Sequence, residues 1–448
     1  MMDEDLTKGP VMRSMLRFAV PMILGNLLQQ CYNIADTLIV GKYLGADELA
    51  AVGSAFTLMT FLTSIFLGLC MGSGAFFSIR FGQRDEDGLK EGVCESFVLV
   101  SCITILLQVL AFVCLDWVRS LLQVPETVWG LMRDYLSVVY YGIIAIFIYN
   151  FFASFLRAVG NSLVPLIFLA VAAVLNIALD LLFVIVLEAG VRGTAEATVI
   201  SQYVSAIGIA VYALTRCPQL RGLRRSFRIS SACMRDIAGF SVWTCMQQSV
   251  MNFGILMVQG LVNSFGSTVM AAFAAAVKID SFAYMPVQDF GNAFSTFIAQ
   301  NYGAQKEKRI RDGLHGAVLL SLVFCVIVSA VVCIFARPLM GLFVKAEDTD
   351  IIMEGIRYLR IEGVFYCGIG CLFLLYGLYR ALGRPGMSFV LTVISLGSRV
   401  ALAYLLSEIP ALGVTGIWWS VPIGWLLADV TGVIYYRLQR KSLFLFKA

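Results

Sequence analysis

Residues 21–53 read PMILGNLLQQCYNIADTLIVGKYLGADELAAVG, an apolar stretch with several polar side chains at its centre. The stretch is long enough to enter a membrane, yet it contains the carboxylate of Asp36. An ionised carboxylate at bilayer depth costs about 2.5–3.5 kcal/mol on insertion scales. A position near a helix end would let Asp36 reach water, but the apolar sequence TLIVGKYLG still follows it. The pattern therefore predicts a membrane helix that carries a functional intramembrane carboxylate.

The composition of the whole chain is that of a polytopic membrane protein. Of its 448 residues, 59% are hydrophobic and only 14% are charged, whereas soluble domains carry about 25% charged residues. The net charge of +4 is small and gives no support for nucleic-acid binding. The 12 cysteines form no CxxC pair, and the single histidine, His315, excludes a metal site built from histidines. We find no convergent nucleophile, base or metal set, so the sequence predicts neither an enzyme nor a bound cofactor.

The apolar segments predict twelve membrane spans, because one bilayer crossing needs about 20 apolar residues. The first six lie near 16–40, 53–79, 93–115, 135–156, 163–187 and 194–215. The second six lie near 238–264, 270–299, 314–335, 357–379, 386–407 and 414–436. The polar, acidic start MMDEDLTKG predicts no cleavable signal peptide. We expect an all-α fold of twelve transmembrane helices.

Lysine and arginine are distributed unequally between the two ends of these spans. Of the 33 basic residues, 23 fall on the side of the N-terminus, 8 on the opposite side, and two, Lys278 and Arg399, within spans. Loops that stay in the cytoplasm carry the excess of basic residues. The distribution predicts a multi-pass protein of the cell membrane with both termini in the cytoplasm.

The chain contains an internal repeat. Four segments recur in the same order, 221 or 223 residues apart: 81–92 with 302–313, Tyr135 with Tyr358, 157–160 with 380–383, and 190–193 with 413–416. Each half holds six spans and starts on the same side, so the repeat is parallel. We expect an N-lobe over 1–215, a basic cytoplasmic linker over 216–237 and a C-lobe over 238–448, two six-helix bundles that enclose a cavity.

Polar side chains on spans five and six are candidates to join Asp36. Asn176 and Asp180 lie on one face of span five because they are four residues apart, and Thr194 and Thr198 share a face of span six for the same reason. Oxygen ligands suit hard cations, and two close carboxylates in a low dielectric do not both stay ionised without one. Alternatively, Asn176 and Asp180 only hold helices together by hydrogen bonds. We favour a cage for Na⁺ or a proton.

These motifs, taken in order, resemble the multidrug and toxic compound extrusion (MATE) family. The resemblance rests on P-x14-D in span one, N-x3-D in span five, a threonine 22 residues after that asparagine, and FIAQNYGAQ after span eight. It covers essentially the whole chain. It implies a secondary active antiporter that exports amphiphilic, usually cationic drug-like compounds in exchange for H⁺ or Na⁺ by alternating access. The alternative is a lipid-linked precursor flippase of the same superfamily, for which we would expect additional spans and a cationic cavity.

The resemblance also assigns residues. It gives a cation-coupling site, with Na⁺ as one candidate ion, to Asp36, Asn176, Asp180 and Thr198, and a helix bend to Pro21. NorM-type members place acidic residues in spans seven and ten of the C-lobe, but span seven here has amides and no carboxylate. The repeat positions of both aspartates are neutral, and Asn176 maps onto Arg399. The chain is therefore closer to the DinF-like pattern, with a cation site in one lobe only.

A substrate cleft lined by polar side chains completes the expected site. Its candidate residues are Gln29, Asn33, Gln248, Asn252, Asp289 and Asn292. Asp289, with Asn292 one turn later, would offer a counter-charge to a cationic substrate; the alternative is an ion pair between Asp289 and Arg399. The expected partners are a small-molecule substrate and membrane lipids, and nothing in the sequence demands an oligomer, so we expect a monomer.

Overall fold

The computed structural model describes residues 5–122, 124, 126–222 and 230–443. Within these ranges the regular structure is helical. The α-helices are α1 (Val11–Tyr43), α2 (Ala46–Gln83), α3 (Glu86–Val113), α4 (Leu115–Leu122), α5 (Glu126–Val139), α6 (Gly142–Ala158), α7 (Leu163–Leu181), α8 (Gly190–Arg216), α9 (Ser231–Asn263), α10 (Ser267–Gly303), α11 (Glu307–Ile334), α12 (Ala336–Met340), α13 (Thr349–Val364), α14 (Tyr366–Ala381), α15 (Pro385–Ser407) and α16 (Val414–Leu443). A π-helical segment, Leu182–Val186, extends α7.

The helices confirm the predicted all-α polytopic fold. Within the described residues, nine helices are long and apolar enough to cross a membrane, and two bent pairs qualify when each pair counts as one span. The predicted seventh span corresponds to α9, a helix of 33 residues that is not among these eleven, and it completes the twelve. Each predicted span lies inside the corresponding helix or helix pair, or extends beyond its end by at most two residues.

Spans four and ten depart from the prediction of single helices, because the structure breaks each of them. The junction of α5 and α6 bends by 47°, and that of α13 and α14 by 52°. The 223-residue interval maps the first break to within two residues of the second, and neither break contains proline. A break frees backbone acceptors that must find other donors. At the first break, the Tyr203 hydroxyl donates to the carbonyl oxygen of Tyr141 at 2.9 Å.

The chain divides into two compact units. One unit contains Asp5 and Val20–Cys245, and the other contains Leu6–Ala19 and the chain from Met246 onward. Both α1 and α9 therefore contribute residues to each unit, and α1 continues as one helix through Pro21. The lobe boundaries predicted at 215 and 238 stay predictions, and residues 223–229 of the predicted linker lie outside the described residues.

The same packing pattern recurs inside each unit. The second long helix packs against both halves of the bent span, α2 against α5 and α6 in one unit and α10 against α13 and α14 in the other. The last two spans of each unit also pack together, α7 with α8 and α15 with α16. The internal repeat of the sequence therefore corresponds to a repeat of helix packing.

Glycines allow α9 to approach α2 closely. Gly68 and Gly72 form a small-xxx-small pattern, which is common where membrane helices touch. A Cβ on Gly72 would lie 2.4 Å from the carbonyl oxygen of Phe240, a distance at which no side chain fits. At this contact the hydroxyl oxygens of Ser73 and Ser241 lie 3.0 Å apart, within hydrogen-bonding distance. Backbone proximity and one buried polar pair therefore fix the position of this part of α9.

Candidate functional site

The structure brings together all four residues assigned to the cation site, within one unit. Asp36 comes from α1, Asn176 and Asp180 from α7, and Thr198 from α8. The carboxyl groups of Asp36 and Asp180 lie close enough for each to influence the charge of the other. A carboxylate only accepts hydrogen bonds, so a bond between these two groups requires one shared proton. Because the two carboxyl groups are close together, they repel each other when both are ionised, and a bound proton or other cation removes that repulsion.

Asn176 and Thr198 form the neutral side of this site. The Asn176 Nδ2 donates to Thr198 Oγ1 at 3.4 Å, and Thr198 Oγ1 in turn donates to the carbonyl oxygen of Thr194 at 3.0 Å. The first bond orients the amide, leaving its Oδ1 as the atom without a donor. The one-turn spacing of Asn176 and Asp180 on α7 explains why both reach the same place, and both are almost fully buried.

Four buried oxygen atoms at the site have no hydrogen-bond donor within the described part of the chain: Asp36 Oδ1, Asn176 Oδ1, Asp180 Oδ1 and Asp180 Oδ2. Buried polar atoms in folded proteins are nearly always partnered. A positively charged species bound here would satisfy these four oxygens. Carboxylate, amide and hydroxyl oxygens are ligands for hard cations such as Na⁺, and a proton shared between the aspartates would satisfy two of them.

Two tyrosines that the sequence motifs did not mark also lie at this site. Tyr135, on α5, lies beside Asp36, Asp180 and Thr198, and Tyr32 faces the two aspartates from α1. Tyr32 precedes Asp36 by four residues, so its helix face was predictable. Tyr135 was visible as a member of the internal repeat. The π-helical segment after Asp180 was not visible in the sequence, and such segments occur frequently at functional sites.

The residues of the predicted substrate cleft are distributed over both units, and the cleft stays a prediction. In the first unit, Gln29 is exposed and Asn33 Nδ2 lies 3.5 Å from Gln30 Oε1. In the second unit, Asn252 donates to the carbonyl oxygen of Gln248 at 3.3 Å, and Asp289 is buried.

Asn292 has a protein partner that the sequence did not suggest. Arg380 Nη2 donates to Asn292 Oδ1 at 2.9 Å, and Arg380 Nε donates to Ser295 Oγ at 3.3 Å. The Arg380 side chain is only 5% exposed. The amide oxygen of Asn292 is therefore committed to a buried guanidinium, which limits its value as a substrate ligand.

A second polar cluster, which no spacing in the sequence indicated, lies in the other unit. It consists of Asp280, Tyr358, Glu362, Tyr366 and Arg399. The Tyr366 hydroxyl donates to Asp280 Oδ1 at 2.6 Å. Glu362 lies beside Asp280 and Tyr358, and Arg399 faces both acids. Arg399 thus has two acidic neighbours in this cluster, and its pairing with Asp289 stays a hypothesis.

Comparison with known proteins gives a full-length match. The MatE family model matches residues 21–182 and 243–405, two segments whose offset follows the internal repeat. The probable multidrug resistance protein YpnP of Bacillus subtilis is 29% identical over 97% of each chain. A FAD transporter of Shewanella oneidensis is 24% identical over 97% of this chain and 96% of its own length. The solved structure titled "Crystal structure of MATE in the bent conformation" has a TM-score of 0.92 at 24% identity, with coverage of 98% of this chain and 97% of that one, a likeness of fold.

Proposed function

The chain belongs to the MatE family of membrane transporters, and from that premise we propose that it exports amphiphilic, cationic drug-like compounds by antiport with H⁺ or Na⁺. The observation that carries this proposal is the set of four buried oxygens at Asp36, Asn176 and Asp180 that find no donor among the described residues. A transporter driven by a cation gradient needs a site that is incomplete without the cation. The chain is a transporter rather than an enzyme, which agrees with the expectation from its sequence.

The proposed coupling step is a change of charge at this site. With the site open to the outside, a proton or Na⁺ binds between Asp36 and Asp180 and removes the repulsion between two buried carboxylates. Thr198 and the Asn176 amide oxygen supply the neutral ligands. The part of α1 that carries Asp36 then repacks, with Pro21 as its bend, and the substrate leaves. Release of the cation to the cytoplasm resets the site.

The number of cations determines which gradient drives export. Exchange of one monovalent substrate for one H⁺ moves no net charge, so only the pH difference contributes, about 1.4 kcal/mol per pH unit. If two cations enter for each substrate, the membrane voltage adds about 2.3 kcal/mol per 100 mV. Two carboxylates at one site permit either stoichiometry.

The names of two relatives bear on the substrate. YpnP is named a probable multidrug resistance protein, which supports export of drug-like compounds. The Shewanella protein is named a FAD transporter, and FAD carries negative phosphates rather than a positive charge. The flippase alternative gains no support from either name. A buried acidic site favours a cationic substrate over FAD, and the experiment below includes both.

Several finer features belong to the same proposal. We place the protein in the cell membrane with both termini in the cytoplasm, because the basic residues are concentrated on that side. We propose that it acts as a monomer in contact with membrane lipids. The acidic cage of Asp36 and Asp180 in the N-terminal half, together with a seventh span that carries amides and no carboxylate, supports the DinF-like pattern over the NorM-like one.

The test is ethidium efflux from cells that express the wild type or Asp36→Asn, energised first by a pH gradient and then by a sodium gradient alone. We expect the wild type to extrude ethidium under at least one gradient, and that gradient identifies the ion. Asn at position 36 removes the charge but keeps the size, so we expect gradient-driven efflux to be lost. The same cells, loaded with FAD, report whether a flavin nucleotide is exported instead.

The matched control is Asp87→Asn, which neutralises an exposed aspartate of the same half. It should transport like the wild type at equal expression. Undiminished efflux by Asp36→Asn would refute the cation site, and export of FAD without ethidium would refute the cationic substrate.

A further inference from the structure

We infer that the second polar cluster is a proton-binding coupling site in which Glu362 takes up the proton and Arg399 occupies the place of a metal cation. The inference rests on the proposed antiport and adds to it a second, separate ion site. Its proton is gained and lost at one carboxylate oxygen, so the chemistry is a simple acid–base exchange with water.

The geometry of the cluster leaves one acidic oxygen without a partner. Asp280 and Glu362 are 5% and 1% exposed. Asp280 Oδ1 accepts the short hydrogen bond from the Tyr366 hydroxyl, and such a bond stabilises an ionised acceptor. Glu362 Oε1 is buried and has no donor within the described residues. Asp280 is therefore the acid that stays ionised, and Glu362 is the acid that binds the proton.

The net charge of the cluster also calls for one proton. Two ionised carboxylates against one guanidinium leave an uncompensated negative charge in the membrane interior, which is costly. Protonation of Glu362 leaves one negative charge, on Asp280, to balance the positive charge of Arg399, so the charges of the cluster cancel. One proton is therefore sufficient, and it changes the net charge of a buried site.

The internal repeat relates this cluster to the cation site of the other unit. The 223-residue interval maps Tyr135, which lies beside Asp36 and Asp180, onto Tyr358, which lies beside Glu362. The same interval maps Asn176 onto Arg399. Where the first site has an amide oxygen that can face a cation, the second has a cation of its own. A bound guanidinium excludes Na⁺ by repulsion but leaves room for a proton.

The groups that surround Glu362 come from every helix packed against it. On its own helix α13 lies Tyr358, and Tyr366 lies on α14. The other ionisable groups near Glu362 are Asp280 and Tyr284 on α10 and Arg399 on α15. Further out, Cys333 on α11 lies beside Tyr366, Trp418 on α16 packs against Tyr358, and Met340 on α12 lies near Gly355 of α13. Arg399 is the cation of this group, so it determines the charge balance.

The cluster also spans the break in the tenth span. Glu362 lies three residues before Phe365, at the end of α13, and Tyr366 is the first residue of α14. Both side chains meet at Asp280 of α10, and the two helices they come from are bent by 52°. Protonation of Glu362 therefore changes the charge at the junction of two helices, where a small repacking alters the bend.

The first test measures protonation without transport. Infrared difference spectra between acid and alkaline buffer are recorded for the purified full-length protein in lipid nanodiscs, as wild type and Glu362→Gln. Because Gln resembles the protonated acid, this variant should fold. We expect the wild type to show a carboxylic-acid C=O band that titrates with pH, is absent from Glu362→Gln and is unchanged by sodium chloride. Glu408→Gln, which alters an exposed acid, is the control and should keep this band.

A second test measures the consequence for transport. In proteoliposomes with an internal pH dye, the protons moved per ethidium should fall by one in Glu362→Gln compared with the wild type. Identical infrared spectra of wild type and Glu362→Gln, loss of the band on addition of sodium, or an unchanged proton-to-ethidium ratio would each overturn the inference. A wild type that moves no ethidium would count against the proposed function, while the infrared result decides the inference independently. If Glu362→Gln does not fold, Glu362→Asp should shift the band instead.

Discussion

The contact between Arg380 and Asn292 allows a sharp test of what Asn292 does. The sequence placed Asn292 in a substrate cleft, whereas the structure shows its amide oxygen accepting a 2.9 Å hydrogen bond from a guanidinium that is 5% exposed. If the main role of Asn292 is to satisfy Arg380, then Asn292→Ala should destabilise the fold. If Asn292 instead binds substrate, the same change should alter substrate affinity alone.

The magnitude follows from the two bonds of Arg380. A hydrogen bond to a charged group contributes about 1.5–3 kcal/mol, while interhelical hydrogen bonds measured in a membrane protein contribute at most about 1.7 kcal/mol. The second bond, to Ser295 at 3.3 Å, is long and compensates little. We therefore expect Asn292→Ala to lower the free energy of unfolding by about 2 kcal/mol, roughly 30-fold in the folding equilibrium. Asn292→Asp keeps the acceptor and adds a charge, so it should retain the stability of the wild type.

The assay is equilibrium unfolding of the purified protein in mixed micelles, followed by tryptophan fluorescence, with ethidium affinity measured in parallel. Asn252→Ala is the matched control for the stability measurement alone, since its amide bonds to a backbone carbonyl on its own helix rather than to a buried charge. A variant Asn292→Ala with the stability of the wild type and weakened ethidium binding would refute the reasoning and return Asn292 to the substrate cleft.

Two further predictions concern helix packing and ion binding. Gly72→Ala would place a methyl group 2.4 Å from a backbone oxygen of α9, so we expect it to lower the free energy of unfolding by about 1–3 kcal/mol. Gly53→Ala, where a Cβ has no neighbour within 4 Å, should leave the free energy of unfolding unchanged. Equal unfolding curves for the two variants would contradict the close approach of α2 and α9. If the ion is Na⁺, sodium at 100 times its Kd should stabilise the wild type by about 2.7 kcal/mol in thermal unfolding. It should not stabilise Asp180→Asn, and stabilisation of that variant by sodium would refute the site.

The first cation site was largely predictable because it depends on spacing within single helices. Asn176 and Asp180 share a face of α7 as their four-residue separation requires, and Asp36 and Thr198 come from spans whose positions were fixed by hydropathy. The tyrosines at the site were harder to predict. Tyr135 approaches Asp36 and Asp180 only because its helix packs beside theirs, and nothing in the sequence near it marks that contact.

The second polar cluster was not predictable in the same way. Its hydrogen-bonded members Asp280 and Tyr366 are separated by 86 residues, and no spacing rule relates residues so far apart on different helices. The sequence could not show that Glu362 and Arg399 lie beside Asp280. Arg399 was visible only as a basic residue inside a span.

By itself the sequence determined the number and position of the spans, the repeat and the acidic residues of the first site. It could do so because a bilayer demands long apolar segments, so that every intramembrane charge stands out against them. The tertiary structure alone decided where spans four and ten break, which tyrosines face the acids, and that Asp280, Glu362 and Arg399 form one cluster. Those outcomes depend on which helix faces pack together, and packing is a property of several distant segments at once.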